Sequence, residues 1–577
     1  MLTQILKRYL LPYRKQVYLI LVMLLIQAIA SLYLPNLIAN LINNGIAKGN
    51  VAYIWHIGEI MLASSALVLG ASIWLAYLAA RVSMAFGRDL RSAVFIAVEG
   101  FSARELNKFG APSLITRNTN DVQQVQLVLL MSFTMMIGAP ITGIGAIIMA
   151  LRSNIQLSSL LLVVLPIMSL LIILLLRRIV PAFRIMQIKI DRINLVLREQ
   201  ISGVRVIRAF VKTRQEESRF AEASLDLMHT QLRVTRTFAV MFPSLSLILN
   251  LSSVAVIWFG AKLINSGHLQ IGNMTAFLSY IMLILSSVMM AIFMSLQIPR
   301  AAACAERIQE VLDTKSSVIE TLTPRNPIER RGLIEFQNVE FRYPGAEHPI
   351  LNDVSFTAKP GEFTAIIGST GSGKSTLINL ISRFIDVTNG SVKLDGIDVR
   401  DQSLESLWAE IGLVPQRALL FGGTVAQNLR YGKSDASEDE LWRALEIAQA
   451  RDFIEELAEK LESRVAQGGT NFSGGQRQRL SIARALVKKP QILIFDDSFS
   501  ALDYTTDSKL RSELLGLMHH TTMIVVAQRV STILQADQIV VLDEGRVVGI
   551  GVHSELMKSN TTYQEIVLSQ LSPEEAV

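Results

Sequence analysis

One cysteine, Cys304, occurs in 577 residues, so no internal disulfide framework can hold this chain and the thiol reads as a buried or indifferent side chain. Charge is scarce as well: 18% of residues are Asp, Glu, Lys or Arg against 50% hydrophobic, a balance unusual for a soluble enzyme. The shortage is uneven. The first 300 residues hold nearly all the long apolar runs, and the rest has the charge content of a soluble domain. Those runs contain no cluster of charges that would demand an ionic ligand. A separate basic, aromatic surface suited to nucleic acid is also lacking. The +6 net charge lies in loops flanking apolar runs, which is the pattern of membrane topology. No organellar targeting segment is recognised, so a bacterial plasma membrane is the expected location.

Six apolar stretches are long enough to cross a bilayer as helices, near 17–39, 54–78, 128–151, 157–180, 240–264 and 275–297. Lys7, Arg8, Arg14 and Lys15 precede the first. Arg81, Arg88, Arg91, Arg104, Lys108 and Arg117 lie between the second and third, and a still richer set, from Arg177 to Arg236, between the fourth and fifth. The opposite loops offer only Lys48, Arg152 and Lys262. The positive-inside rule then predicts cytoplasmic termini and two long cytoplasmic loops. Lys15, the apolar run from Val17 and Ala28–Ala30 imitate a cleavable signal peptide, but apolar character continues to Leu41, so a retained first span is expected. Leu2–Leu11 reads as an amphipathic surface helix. The long loops, near 80–127 and 181–238, read as helical extensions of the spans, with turns near Gly110–Asp121 and Ala209–Glu217 that touch a cytoplasmic domain. Met282, Met289, Met290, Phe293 and Met294 in the last span suit either a permissive pocket or packing, and packing is the expectation.

From residue 301 to 332 a helix end and linker are expected, and 333–577 reads as an α/β domain with a largely parallel sheet. Its predicted strands are Leu333–Tyr343, Phe363–Ile367, Ile411–Val414, Ile492–Phe495, Thr522–Ala527 and Gln538–Leu542. Gly368, Ser369, Thr370, Gly371, Ser372, Gly373, Lys374 and Ser375 follow an apolar strand and fit G-x-x-x-x-G-K-[ST], with Thr376 next. That spacing lets backbone N–H groups close around phosphate, supplies a lysine charge and offers a hydroxyl to Mg²⁺. ATP binding is the expectation. Asp496 ends an apolar strand, the place for a Mg²⁺-holding acid, and Asp497 follows it. Gln416, after a strand and a proline, is placed to reach Mg²⁺ or water, and Tyr343 to stack on adenine. Ser473, Gly474, Gly475 and Gln476 open a strong helix whose N–H groups face an anion.

Together, the phosphate loop, Gln416, the FSGGQ string, ILIFDD, the Ser500–Asp503 turn and six preceding spans resemble an ABC transporter of the exporter type, a half-transporter with membrane and ATPase domains in one chain. The resemblance covers nearly the whole sequence. It implies a dimer in which each ATP lies between the phosphate loop of one subunit and the SGGQ segment of the other. Alternating access is also implied, with the two loop turns as coupling helices and Asp503 among the catalytic-site residues. Two positions depart from the family pattern. The general base after the Mg²⁺ aspartate is normally Glu and here is Asp497; a histidine at the γ-phosphate is replaced by Gln528. The shorter acid falls back by ~1.5 Å, and displacements of about 1 Å can cost on the order of 10²-fold in rate. The expectation is therefore the degenerate-site subunit of a heterodimer that moves hydrophobic or amphipathic compounds, drugs or lipids, through the lipid bilayer. Its intact SGGQ segment would complete the second subunit's hydrolytic site. A slow homodimeric exporter, an importer on the same scaffold and an ATP-binding membrane sensor are the alternatives; a nucleic-acid machine is disfavoured.

Overall fold

Hydrophobic length alone settles the first half of the chain. In the computed structural model, which describes residues 1–516 and 521–571, six helical stretches are long and apolar enough to cross a membrane: Leu2–Ile46, Val51–Glu99, Ala111–Ser153, Ile155–Ser202, Thr213–Asn265 and Ile271–Ala291. Each predicted span lies on one of these helices, and positions 517–520 and 572–577 of the expected domain 333–577 lie outside the described residues. The last stretch belongs to a helix running on to Asp313, where the helix end expected within 301–332 falls. Prolines 166, 181 and 243 sit inside these helices, as membrane helices allow when packed neighbours can serve the freed backbone groups.

The chain divides into two compact units, Met1–Ala97 with Pro112–Asp313, and Val98–Ala111 with Thr314–Val577. In the first, the sixth helix packs on the first and third, while the fourth and fifth pair with each other. Outward faces are apolar, with Leu62, Ile155 and Leu162 each more than 70% exposed, the surface a hydrocarbon solvent accepts. The N-terminal helix Leu2–Leu10 buries Ile5, and Tyr13 just beyond it donates a 2.6 Å hydrogen bond to Asp89. In the methionine stripe, Met294 is buried and Met289 is packed among neighbouring helices, whereas Met282, Met290 and Phe293 stay exposed.

The second unit holds two larger sheets. One is antiparallel: β1 (Ile334–Phe341) pairs with β2 (Leu351–Ala358) and β4 (Asn389–Leu394), and β5 (Ile397–Asp398) pairs with β4. The other runs β12-β11-β3-β10-β9-β6, with β3 at Phe363–Gly368, β6 at Ile411–Val414, β9 at Ile492–Asp496, β10 at Thr522–Val526, β11 at Gln538–Asp543 and β12 at Arg546–Gly551. A two-stranded ribbon joins β7 (Gly423–Thr424) to β8 (Arg464–Val465). All pairings in the six-stranded sheet are parallel except β11 with β12. β3 and β10 are buried almost throughout, which explains their uninterrupted apolar sequence, since parallel strands are covered on both faces. The strand predicted at Leu333–Tyr343 belongs to the antiparallel sheet instead. Its partner β2 reads Leu-Asn-Asp-Val-Ser-Phe-Thr-Ala, alternating as a half-buried strand does, and bulges interrupt its pairing with β1.

The first of the two predicted turns requires a correction. The segment belonging to the second unit is Val98–Ala111, upstream of the predicted Gly110–Asp121, most of which lies in the first unit. Ser102 and Glu105 form a capping box that starts the helix Ala103–Phe109, and Gly110 at φ 74° ends it. Glu105 Oε2 also accepts from the backbone N–H of Ser317 at 3.2 Å, and Ala103 packs on the core beneath the antiparallel sheet. Burial raises the Glu105 pKa, but hydrogen bonds from Ser102 and Ser317 outweigh it and leave the carboxyl below its ordinary range. The second predicted turn, Ala209–Glu217, spans a break at Phe210–Lys212 between the short helix Val204–Ala209 and the helix Thr213–Asn265.

Candidate functional site

Register places the chemistry at one edge of the parallel sheet. Val526 of β10 lies opposite both Ile366 of β3 and Asp496 of β9. The loops leaving these strands at their carboxyl ends therefore emerge together, the usual ligand edge of an open α/β sheet. The phosphate loop follows β3, Asp497 follows β9, and Gln528 lies two residues past the end of β10.

Within the phosphate loop Gly371 and Gly373 have φ of 88° and 101°, values open mainly to glycine. A Cβ on Gly373 would also sit 2.6 Å from Leu351 Cδ2. The loop curls over the lysine: Lys374 Nζ donates to the carbonyls of Gly368 at 2.9 Å and Ser369 at 2.7 Å and to Ser372 Oγ at 3.4 Å. Burial lowers the Lys374 pKa, and Asp497 and Asp496 oppose the shift. Ser369, Thr370 and Gly371 remain exposed, so the rim of the loop is open above a caged cation. Lys374 also begins the helix Lys374–Ile381, whose first N–H groups have no partner within the helix.

Ser375 Oγ donates to Asp496 Oδ1 at 3.3 Å. Burial pushes the Asp496 carboxyl above its ordinary range; the Ser375 hydrogen bond opposes this and the Asp497 charge adds to it. Asp497 is buried at φ 48°, a left-handed conformation that Asp tolerates better than longer acids. Its N–H donates to the Val526 carbonyl at 2.9 Å, and its Oδ2 accepts from Gln416 Nε2 at 3.1 Å. Gln528 is exposed, its carbonyl held by Gln570 Nε2 at 2.8 Å.

Tyr343 stands beyond β1, edge-on to Phe341 with ring centroids 4.8 Å apart. Its hydroxyl lies 3.4 Å from Thr376 Oγ1, which ties the aromatic to the phosphate-loop helix. Ser473 caps the helix Gly474–Val487 through a capping box with Gln476: Gln476 N–H donates to Ser473 Oγ at 3.2 Å and Ser473 N–H to Gln476 Oε1 at 2.9 Å. Ser473 and Gly474 are exposed, and a Cβ on Gly475 would come 3.3 Å from the Ala501 carbonyl, at the Ser500–Asp503 turn. Asp503 caps the next helix, Tyr504–Leu515, accepting from Thr506 N–H at 3.0 Å, and this bond holds its carboxyl below the ordinary range.

The structure thus gathers Tyr343, the phosphate loop, Gln416, Asp496 and Asp497 through direct contacts, and adds Gln528 through strand register. The Ser473–Gln476 cap and Asp503 adjoin each other instead, through Gly475 and Ala501. The residues present fit a nucleotide triphosphate: open backbone donors, a desolvated lysine and a half-exposed aromatic converge on one edge. Ser375 and Asp496 supply two of the hard oxygen donors that Mg²⁺ prefers, the remainder usually coming from water and phosphate.

Matches to known families agree with this geometry. Residues 17–288 match the ABC transporter transmembrane region, and 351–500 match ABC transporter. A Mycobacterium tuberculosis ABC transporter ATP-binding protein is 47% identical over 574 residues, covering 99% of this chain and 98% of its own. The chain belongs to the ABC transporter family. This ABC transporter is also 37% identical over 566 residues to the Bacillus subtilis ABC transporter ATP-binding protein YfiB, with 98% of each covered. An ATP-dependent lipid A-core flippase of Aromatoleum aromaticum is 35% identical over 502 residues, 87% of this chain and 83% of its own. A bacterial Atm1-family ABC exporter with ATP bound shares the fold, with TM-score 0.79 at 24% identity over 96% of this chain and 97% of that one. The protein is an exporter-type half-transporter, a multi-pass membrane protein with an ATP-hydrolysing domain.

Two further features position these elements, and only one of them carries a sequence signal. Ser102-x-x-Glu105 is a capping-box string that marks the start of the docked helix. Ser498, fully buried and donating to the Val414 carbonyl at 2.9 Å, ties β9 to β6 beside Gln416; an isolated serine offers no such signal.

Proposed function

We propose that this ABC transporter is the degenerate-site subunit of a heterodimeric exporter of amphipathic lipids or drugs. The observation that carries the reading is at the γ-phosphate end of its own site. Asp497 replaces the longer family Glu and is paired with Gln416 at 3.1 Å, while Gln528 stands where the family has His. Gly368–Lys374 would bind the phosphates, Tyr343 the adenine, and Ser375, Gln416 and Asp496 the Mg²⁺. When bound, the metal neutralises developing phosphate charge. Lys374 contributes positive charge, Asp497 is the remaining carboxylate able to orient water, and Gln528 can donate a hydrogen bond without His charge. Strong binding groups beside weakened hydrolytic groups make an ATP clamp.

The Ser473–Gln476 cap, exposed at Ser473 and Gly474, would complete the second subunit's site, where Asp503 would also lie. The basic cytoplasmic loops support a cytoplasmic ATPase domain in a plasma membrane. The Ala103–Phe109 helix, packed within the second unit, supports a coupling role for the first turn. Relatives named lipid A-core flippases favour lipid among the amphipathic candidates.

The deciding experiment is ATP turnover of the purified chain alone and co-purified with its genomic neighbour, with native mass on the same samples. Activity only in a mixed dimer supports the proposal; vigorous turnover by a homodimer overturns it. The second subunit is expected to carry an altered SGGQ segment.

A further inference from the structure

The membrane unit holds a partly open cavity of about 230 Å³ whose lining brings together the first, third and sixth helices. Its polar side chains are Gln27, Ser31, Thr134, Thr142, Ser286 and Ser287, and none of the described lining residues is charged. Polar side chains facing one another inside a bilayer call for an explanation, because each is costly there unless paired.

Four hydroxyls share one disposition. Thr134 Oγ1 donates to the Leu130 carbonyl at 3.0 Å, Thr142 to Gly138 at 2.9 Å, Ser286 to Met282 at 2.9 Å and Ser287 to Leu283 at 2.8 Å. Each spends its only proton on its own helix and keeps oxygen lone pairs to offer elsewhere. Met135 and Met290 add polarisable sulfurs, which are weak acceptors. Gln27 alone among these brings amide donors as well as an acceptor. The third helix also widens into a π-helical turn at Ser132–Met136, where Thr134 and Met135 line the cavity; such turns concentrate at functional sites.

We propose that this cavity receives the uncharged, hydroxyl-bearing part of an amphipathic ligand, whose apolar part remains among the lipid-facing surfaces. The inference rests on the exporter reading and narrows its substrate class. A charged group would enter without a counter-charge in a low-dielectric site. A purely apolar group would leave the Gln27 amide unpaired. A neutral group rich in O–H donors satisfies the acceptor-rich wall. The volume is below the ~300–1,000 Å³ of drug-sized sites, which suits one polar group rather than a whole molecule.

The test uses the co-purified assembly in lipid nanodiscs, with protein-free nanodiscs as blank. Saturable binding of radiolabelled octyl β-glucoside is compared with that of its tetra-O-methyl derivative, which keeps the skeleton and loses the donors. Methylation is expected to weaken binding at least about tenfold. Thr142→Val and Ser287→Ala should each weaken the glucoside about fivefold and leave the methylated compound unchanged. Ser252→Ala, away from the cavity, should change neither, and Ser286→Ala, at an exposed position, stands in for any variant that fails to assemble. Equal affinity for the two compounds, no saturable binding of either, or equal losses for both in the variants overturns the inference. ATP-driven lipid uptake into vesicles, recorded in parallel, separates the two readings. Uptake persisting without discrimination sinks only the cavity assignment. Discrimination without ATP-driven movement of any lipid sinks the exporter reading.

Discussion

Asp497→Glu with Gln528→His should convert a holding site into a hydrolysing one. The added methylene advances the carboxylate by ~1.5 Å, and a shift of that size changes rates by on the order of 10²-fold, or about 2.7 kcal/mol of barrier. One structural term opposes the gain: position 497 has φ 48°, where Glu is less at ease than Asp, at about 1 kcal/mol of strain. That loss falls on stability rather than on the chemical step. The Gln528 backbone stays anchored because Gln570 holds its carbonyl at 2.8 Å. To isolate this site, the pair is introduced together with Ser473→Arg, which fills the space before the exposed helix cap and silences the site that the cap completes. Turnover should rise about 10- to 100-fold over Ser473→Arg alone, with the second subunit's signature segment setting the ceiling. Single-turnover hydrolysis and analysis of trapped nucleotide read this directly. No rise in that background refutes the argument: either Asp497 and Gln528 are not the deficit, or the dimer is symmetric and Ser473→Arg has closed both sites.

Lys374→Ala removes the caged cation and should weaken ATP binding at this chain's site by about 10- to 100-fold, measured by equilibrium titration with a fluorescent ATP analogue. Because burial holds the Asp496 carboxyl above its ordinary range, it regains its proton at a higher pH than a free aspartate near ~3.9. Mg²⁺-dependent tightening of ATP should therefore fade on acidification earlier than a free aspartate would dictate, and Asp496→Asn should abolish the dependence. Glu105→Ala leaves the Ser102 and Ser317 N–H groups without their acceptor, at about 1–3 kcal/mol. Faster proteolysis between Thr314 and Gly332, with basal ATP hydrolysis unchanged, is the expected result.

Length and patterning sufficed for the six spans, since about 20 apolar residues in a row have few alternatives to a membrane helix. The phosphate loop, the strand ending at Asp496 and the SGGQ helix cap were legible for a similar reason. Each is a local string in which backbone geometry and chemistry impose residue type at fixed spacing. The antiparallel sheet is harder to see, because β2 and β4 are half-polar strands without the continuous apolar run of the buried parallel strands. The docked helix Ala103–Phe109 lies upstream of the expected turn because its cap is local but its partner, Ser317, is 212 residues distant from Glu105. The same holds for Asp497: its identity is written in the chain, but its hydrogen bond from Gln416 exists only once β6 and β9 lie side by side. Sequence by itself determined which segments cross the membrane and which string holds phosphate, because those depend on neighbours along the chain. Tertiary structure alone decided which hydroxyls face one another across a cavity and which donor meets which carboxylate, because those depend on neighbours in space.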